Sequence, residues 1–447
     1  MVRSDIHPQT WRDTYLQPVL LVLVLNLISA ALFIGSVNRP FYDDIFNIID
    51  VHHYATLGFS HDTVMSQRNA PGPTSFVWMA AAVRIIGGNE LRDARVGALI
   101  SWVLLAAVLL LGARFGRFPQ LWYAALLTLL VFPHAVEAAA TVLTEGPALF
   151  FALVGALAWT EFVSRTDLSP RVFLFGMLGC FSMGVAVTCR QYNIALLPAA
   201  ALLAAVPILK NPWSPGEKRR WTLGAVFCLA LSAVPVLLLL LTWKGLSCPG
   251  IQTGASYNNV YTAGAGFNFT RPVVAALYVG LYLLPVTFPV MVWMKQTRRW
   301  RALAVSAVGG IVAARFSASL LVPGPLNSLV HAASHIPHGA KIAFALIVAI
   351  TIYNSIALGF ALWESRKALL LSPPAVFAVL TVLFFLLEQF GVGGNIPFYD
   401  RYILQVAPFF GIIAFALLPR LDNARLAALV GLSALSQFMV WRYAFIH

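Results

Sequence analysis

Apolar runs of about 20 residues recur along this chain from Leu16 almost to its C-terminal end, each long enough to cross ~30 Å of hydrocarbon. That repetition commits the chain to a helical protein that crosses a membrane many times. Composition agrees: 60% of residues are hydrophobic and only 11% are charged, against roughly a quarter charged in a soluble domain. The apolar runs predict about thirteen spans, near 16–36, 94–113, 119–138, 147–164, 172–189, 192–209, 222–243, 272–294, 302–322, 342–363, 371–391, 402–419 and 425–445. No small-residue cleavage site follows the first run, which therefore reads as a retained helix rather than a signal peptide. With no internal repeat, heptad or disordered tail, the expectation is one domain over residues 1–447.

The net charge of +13 does not point to nucleic acid, because Lys and Arg gather in short loops between spans as topology signals do. With the N-terminus cytoplasmic, the cytoplasmic segments hold Arg3 and Arg12; Arg114 and Arg117; Arg165 and Arg171; Lys210, Lys218, Arg219 and Arg220; Lys295, Arg298, Arg299 and Arg301; Arg366 and Lys367; Arg420 and Arg425. The apolar stretch 74–88 is too short to span and contains Arg84, and counting it would reverse every later loop. It reads as an interfacial or re-entrant helix. The outer loop 37–92 is then the largest polar region, and carries Asp43, Asp44, Asp50, His52, His53, His61, Asp62 and Arg68.

Two adjacent carboxylates, Asp43 and Asp44, lie just beyond the first span in Arg39-Pro40-Phe41-Tyr42-Asp43-Asp44-Ile45-Phe46. Carboxylates at a membrane boundary face water, pair, or do chemistry. They fit a general base that takes a hydroxyl proton, and equally a helix-start pair complementing the helix dipole. Glu145, in Thr144-Glu145-Gly146-Pro147, has the signature of a helix N-terminus, but the parity puts it on the same face as Asp43. Arg190-Gln191-Tyr192-Asn193 occupies a tight outer turn, where Arg offers either a fork for phosphate oxygens or an interfacial anchor. Arg401, in Tyr399-Asp400-Arg401-Tyr402, stands in the same position relative to its own span, with Asp400 able to neutralise it.

Other features stay open. Arg315 falls inside an expected span, which marks either a buried paired residue or a snorkelling one. His331, His335 and His338 share a face if their loop is helical, but no acidic or Cys ligand stands beside them. Cys180, Cys189, Cys228 and Cys248 show neither metal-like spacing nor a disulfide framework. The sequon Asn268-Phe269-Thr270 matters only in a secretory-pathway host. There is no Walker loop, dinucleotide fingerprint or pair of broken half-helices, so marks of an ATP-driven pump or inverted-repeat transporter are lacking.

Taken in order, the motifs resemble the dolichyl-phosphoglucose-dependent α-1,2-glucosyltransferases that add the terminal glucose to the lipid-linked N-glycan precursor. More broadly they resemble membrane glycosyltransferases of the GT-C type. The family run Pro-Tyr-Met-Asp-Glu-Ile-Phe-His is similar to Pro40-Phe41-Tyr42-Asp43-Asp44-Ile45-Phe46-Asn47. Tyr54, Phe59-Ser60, Pro71-Gly72, Phe132-Pro133, Thr144-Glu145 and Phe150-Phe151 fall where the family has matching residues, Arg190-Gln191-Tyr192-Asn193 stands for its Arg-Gln-Thr-Asn, and Tyr399-Asp400-Arg401-Tyr402 loosely echoes an Asp-Asn-Arg-His-Tyr run. The chain departs from the family at His52-His53, where the family has Gln-Arg, and at Asp44, where it has Glu.

The resemblance implies a GT-C-like, all-α integral membrane bundle with interfacial helices in the first outer loop. It implies inverting transfer of a hexose, glucose favoured, from a polyprenyl- or dolichyl-phosphate carrier to a hydroxyl of a lipid-linked or surface glycan. Asp43 is then the base with Asp44 second, and Glu145 orients the acceptor or shares the base's work. Arg190 or Arg401 holds the donor phosphate, with His53, Tyr54, Gln191, Asn193 and Asp400 around the substrate. Phosphate is a good leaving group, so neither a metal nor a cofactor is required. A monomer is expected, with its site on the non-cytoplasmic face of a bacterial inner membrane, or of the endoplasmic reticulum as the alternative. The rival function is a flippase or transporter of lipid-linked sugars, which would line several spans with polar residues at mid-membrane.

Overall fold

The structure, a computed structural model, describes residues 8–41, 43–132, 134–165, 169–245, 248–249, 270–282, 284, 296–315, 330, 332–391, 400–417, 431 and 438. Among these the chain is helical, with no strand. Helix α1 (Pro8–Ser36) leads into three loop helices, α2 (Asp44–Leu57), α3 (His61–Met65) and α4 (Pro73–Ile86). Then come α5 (Glu90–Phe115), α6 (Pro119–Val131), α7 (Ala135–Ala140), α8 (Glu145–Val163) and α9 (Pro170–Cys189). A 3-10 turn (Gln191–Ala195) connects α9 to α10 (Leu196–Lys210), followed by α11 (Pro215–Trp243), α12 (Thr270–Tyr282), α13 (Gln296–Ala313), α14 (Gly339–Leu369) and α15 (Pro373–Gly391). A second 3-10 turn (Asp400–Gln405) opens onto α16 (Ala407–Leu417).

Eight of the described helices are long and apolar enough to cross a membrane, and the protein is an integral membrane protein. The thirteen expected spans differ from this in identifiable ways. The run 119–138 is interrupted: Phe132, which precedes Pro133, leaves the helix at ψ 136°, as the clash with a following proline ring requires. The run 402–419 spends its first turn in 3-10 geometry, leaving 11 residues of α-helix. The expected spans 272–294 and 302–322 are described only in part, 425–445 only at residues 431 and 438, and Asn268 of the sequon lies outside the described residues.

Helix starts follow local chemistry. Ser60 accepts from the Thr63 amide at 3.2 Å, Asn89 from the Arg92 amide at 3.0 Å, and Ser214 forms a reciprocal capping box with Glu217. Helix α6 is buried on every side and α16 on almost every side, so they occupy the centre of the bundle. Helices α1, α11 and α14 each keep an exposed apolar face, shown by Leu21, Leu241 and Leu346, as lipid-facing helices do.

The two ends of the bundle differ chemically. At one end the Arg117 amide donates to Glu161 at 2.7 Å, Arg165 lies 3.7 Å from the same carboxylate, Arg298 pairs with Glu364, and Lys210 donates to the Leu370 carbonyl. Helices α8 and α9, which end and start there, carry Glu145 and Arg190 at their other termini, and Arg401 joins Asp43 to Glu145 at that far end. The basic loops are therefore opposite the acidic ones, as the spacing of charges predicts.

The loop helices are fastened to the bundle by close backbone contact. The Gly72 amide donates to the Cys189 carbonyl at 3.0 Å, and a Cβ at Gly72 would meet the Thr188 carbonyl oxygen at 1.9 Å. Gly72→Ala should therefore lower stability by roughly 1–3 kcal/mol, the usual cost of overpacking. Thermal unfolding in detergent would show it, and an unchanged midpoint would mean that α4 is not held by this contact.

Candidate active site

Asp43 caps the start of α2 by position only: its side chain makes no capping hydrogen bond. Instead its Oδ2 accepts from Arg401 Nη2 at 2.6 Å, and 32% of the side chain remains exposed. Arg401 stands in the second 3-10 turn, 358 residues further on, and its Nε lies 3.9 Å from Glu145 Oε1. Glu145, the first residue of α8, is 1% exposed and accepts from Arg190 at the end of α9. Its second oxygen, Oε2, is buried with no hydrogen-bond partner, and so is Arg190 Nε. Four residues singled out in the sequence thus converge at one end of the bundle.

The guanidiniums frame an aromatic pair. Tyr192 and Tyr402 stand 5.0 Å apart, with Arg190 5.8 Å from the first ring and 5.2 Å from the second. Arg271, at the start of α12, lies 5.7 Å from both rings and donates to the Tyr192 hydroxyl at 2.6 Å and to Gln389 Oε1 at 2.9 Å. Cation–π contacts of this kind hold desolvated guanidiniums at up to about 2 kcal/mol each. Burial by itself disfavours the charge on Arg401, but the carboxylates of Asp43 and Glu145 and the Tyr402 ring outweigh it and raise the group above its ordinary range. Arg190 is raised likewise, with Glu145 overcoming the burial. Both remain cations.

Asp44 sits one residue from Asp43 in a different environment. It is wholly buried, with Oδ2 accepting from Arg95 Nη2 at 2.5 Å, Arg95 Nε at 3.1 Å and the Phe41 amide at 2.9 Å, while Oδ1 accepts from the Val142 amide at 2.5 Å. Arg95 also donates to the Val37 and Arg39 carbonyls. Burial pushes the Asp44 carboxyl up, and Arg95 and the two amides pull back against it. Asp50 resembles it: burial raises its carboxyl while the Arg68 amide and the Asn69 amide and side chain, at 2.6–3.1 Å, oppose the shift. Both carboxylates spend their lone pairs on folding the loop.

The remaining sequence candidates fall in several places. Asn193 Nδ2 donates to the Ala186 and Arg190 carbonyls at 3.2 Å, shaping the turn that presents Arg190, and Gln191 donates to the Ala70 carbonyl at 2.7 Å. Tyr54 is buried in a separate small core with Phe76 and Trp243, its hydroxyl donating to Gln67 at 2.8 Å, and is not joined to the Asp43 cluster. His53 lies half-buried on the same helix, beside Asp50. The Asp400 side chain, Tyr42 and His331 lie outside the described residues, whereas Arg315, His335 and His338 are exposed. Among the described residues no group of three His, Cys, Asp or Glu side chains is placed to hold a metal.

Three participants escaped the sequence reading. Arg271 begins an apolar run at the same end as Arg401, and that repeated position was its one signal. Arg95, a lone cation near the outer end of a span, carried a similar mark. His134, with Nδ1 2.6 Å from Glu137 Oε2, follows the break after Phe132, a break visible only as Phe132-Pro133.

No protein-family profile and no curated protein matches this chain. Among solved structures it is similar to ArnT from Cupriavidus metallidurans bound to undecaprenyl phosphate, at 15% identity and a TM-score of 0.41, over 94% of this chain and 77% of that one. It is also similar to the archaeal oligosaccharyltransferase AglB from Archaeoglobus fulgidus in complex with an inhibitory peptide and a dolichol-phosphate, at 14% identity and a TM-score of 0.41, over 96% of this chain and 56% of that one.

Proposed function

We propose that this protein is a membrane glycosyltransferase that moves a hexose from a polyprenyl- or dolichyl-phosphate carrier to a hydroxyl of a lipid-linked or surface glycan. The observation that carries this reading is a partly exposed carboxylate, Asp43, at the edge of a cluster holding Arg190, Arg271 and Arg401. A base beside a set of phosphate-matched forks is what transfer from a phosphate-linked sugar needs. Asp43 takes the proton of the acceptor hydroxyl while that oxygen attacks the anomeric carbon. The bond from that carbon to the phosphate oxygen breaks, and its electron pair leaves with the phosphate. Attack opposite the leaving group inverts the anomeric centre. A positioned base of this kind contributes roughly 100- to 10,000-fold.

In this reading the guanidiniums serve twice. Without donor, Arg401 neutralises Asp43 and Arg190 neutralises Glu145. A donor phosphate competes for the same forks, and engaging Arg401 releases Asp43 to act as base. Glucose as the hexose, and an outward-facing site, follow from the resemblance and the loop charges set out above. Asp44 is assigned to folding the loop rather than to proton transfer, because its oxygens are already committed to four donors.

The test is transfer of label from polyprenyl-phosphoglucose by purified protein in detergent, with a membrane lipid extract as acceptor and mannose and galactose donors in parallel. Release of polyprenyl phosphate coupled to a labelled glycolipid supports the reading, and the donor arms fix the sugar. Turnover of none of the donors would favour the flippase. Arg190→Lys, which keeps the charge and loses the fork, should lower kcat/KM by roughly tenfold or more, the equivalent of ~1.4 kcal/mol, chiefly through donor KM. Unchanged donor KM would remove Arg190 from the phosphate site.

A further inference from the structure

The opposite end of the bundle carries a groove that none of this chemistry uses. Ile356, Gly359, Phe360 and Trp363 line an open groove of 490 Å³ along α14. Their spacing of three, four and seven residues puts them in one stripe, roughly 10 Å long at 1.5 Å per residue, running along the helix axis. Gly359 has open space where a side chain would be, Phe360 is 38% exposed and Trp363 is 65% exposed. At the groove's mouth Arg298 lies 4.9 Å from the Phe360 ring and pairs with Glu364, and Arg366 lies 4.4 Å from the Trp363 ring. Arg301, Lys367 and a second exposed tryptophan, Trp300, stand on the same two helix ends.

This end is far from Asp43. Leu370, just beyond α14, accepts from Lys210, which closes α10, and Lys210 is separated from Arg190 by the whole length of the 3-10 turn and α10. That path is roughly 30 Å at 1.5 Å per residue, so one phosphate group does not serve both Arg190 and the basic residues that close α14.

We infer that this groove binds an anionic phospholipid, with its headgroup phosphate between Arg298 and Arg366 and an acyl chain along Ile356, Gly359 and Phe360. Charge complementarity selects this occupant. Arg298 and Arg366 stand at the mouth, Arg299, Arg301 and Lys367 neighbour them in sequence with Glu364 the one acid among them, and a zwitterionic headgroup would bring a second cation into that field. Basic sites of this kind between membrane helices recognise anionic headgroups. Tryptophans at this depth mark the headgroup level, and an apolar stripe running inward from it suits one acyl chain.

Native mass spectrometry of the intact protein tests this, with added phosphatidylglycerol or phosphatidylcholine of matched acyl chains, and glycerol phosphate as a headgroup-only arm. Phosphatidylglycerol should be retained at least tenfold more than phosphatidylcholine. The double variant Arg298→Gln/Arg366→Gln should abolish the preference. Gly359→Leu, which fills the groove and leaves the charges, should reduce retention of both lipids, with the unfolding midpoint showing that the variants stay folded. Equal retention of the two lipids by the wild type would overturn the proposal. So would glycerol phosphate binding as well as the lipid, or a dimer that Gly359→Leu disperses, which would make a second copy the occupant. None of these readouts depends on sugar transfer.

Discussion

Asp43→Asn abolishes most sugar transfer, by roughly 100- to 10,000-fold in kcat, while the protein unfolds near the wild-type midpoint. The amide matches the carboxylate in shape, and its oxygen still accepts from Arg401, so the geometry at 2.6 Å survives. What is lost is a group able to take a proton. Donor KM should change little or fall, because Arg401 is freed from a competing carboxylate. Steady-state transfer from whichever donor the parallel sugar arms identify measures both quantities. Activity above a tenth of wild type in a folded Asp43→Asn protein would move the base elsewhere, with Glu145 the next carboxylate in the cluster. Glu145 is the poorer base because it is buried and held by Arg190.

Asp44→Ala should fail differently, by stability rather than by chemistry. Removing this carboxylate strands Arg95 in a buried site and leaves the Phe41 and Val142 amides without their acceptor. Breaking one side of a buried ion pair costs about 3–5 kcal/mol. Loss of a hydrogen-bond acceptor for each amide adds to it. The unfolding transition in detergent should shift far enough to lower the yield of folded protein, and the loop carrying Asp43 should lose protection first. A double variant, Asp44→Leu/Arg95→Met, should recover part of the loss, because an apolar pair does not strand a charge. A loss below about 1 kcal/mol for Asp44→Ala would refute the structural assignment and return Asp44 to the catalytic candidates.

The two adjacent aspartates show how far the sequence reaches. Their placement after the first span, and the wetness of the loop that carries them, are legible because a membrane excludes unpaired charge from its apolar runs. Their division of labour is not, since successive residues at a helix start point about 100° apart and nothing local says which direction is occupied. Arg95, on a helix 51 residues away, takes one, and Arg401, 358 residues away, takes the other. Tyr54 makes the same point in reverse: it stands in a matching motif, but Phe76 and Trp243 draw it into a core of its own.

The sequence by itself determined that this chain is a membrane helix bundle, and where some of its helices begin and end. Apolar run length, prolines and caps are local quantities, which is why α5 and α9 match the expected spans at 94–113 and 172–189 to within a few residues. It also determined which loops share an end, because basic residues sort by side. Only the tertiary structure decided that Asp43 stays partly exposed while Asp44 is buried, and that Arg271 joins Arg190 and Arg401 around two tyrosines. Those outcomes depend on which helix stands opposite which. That pairing is fixed by packing between segments distant in the chain, for which a single sequence carries no period and no spacing.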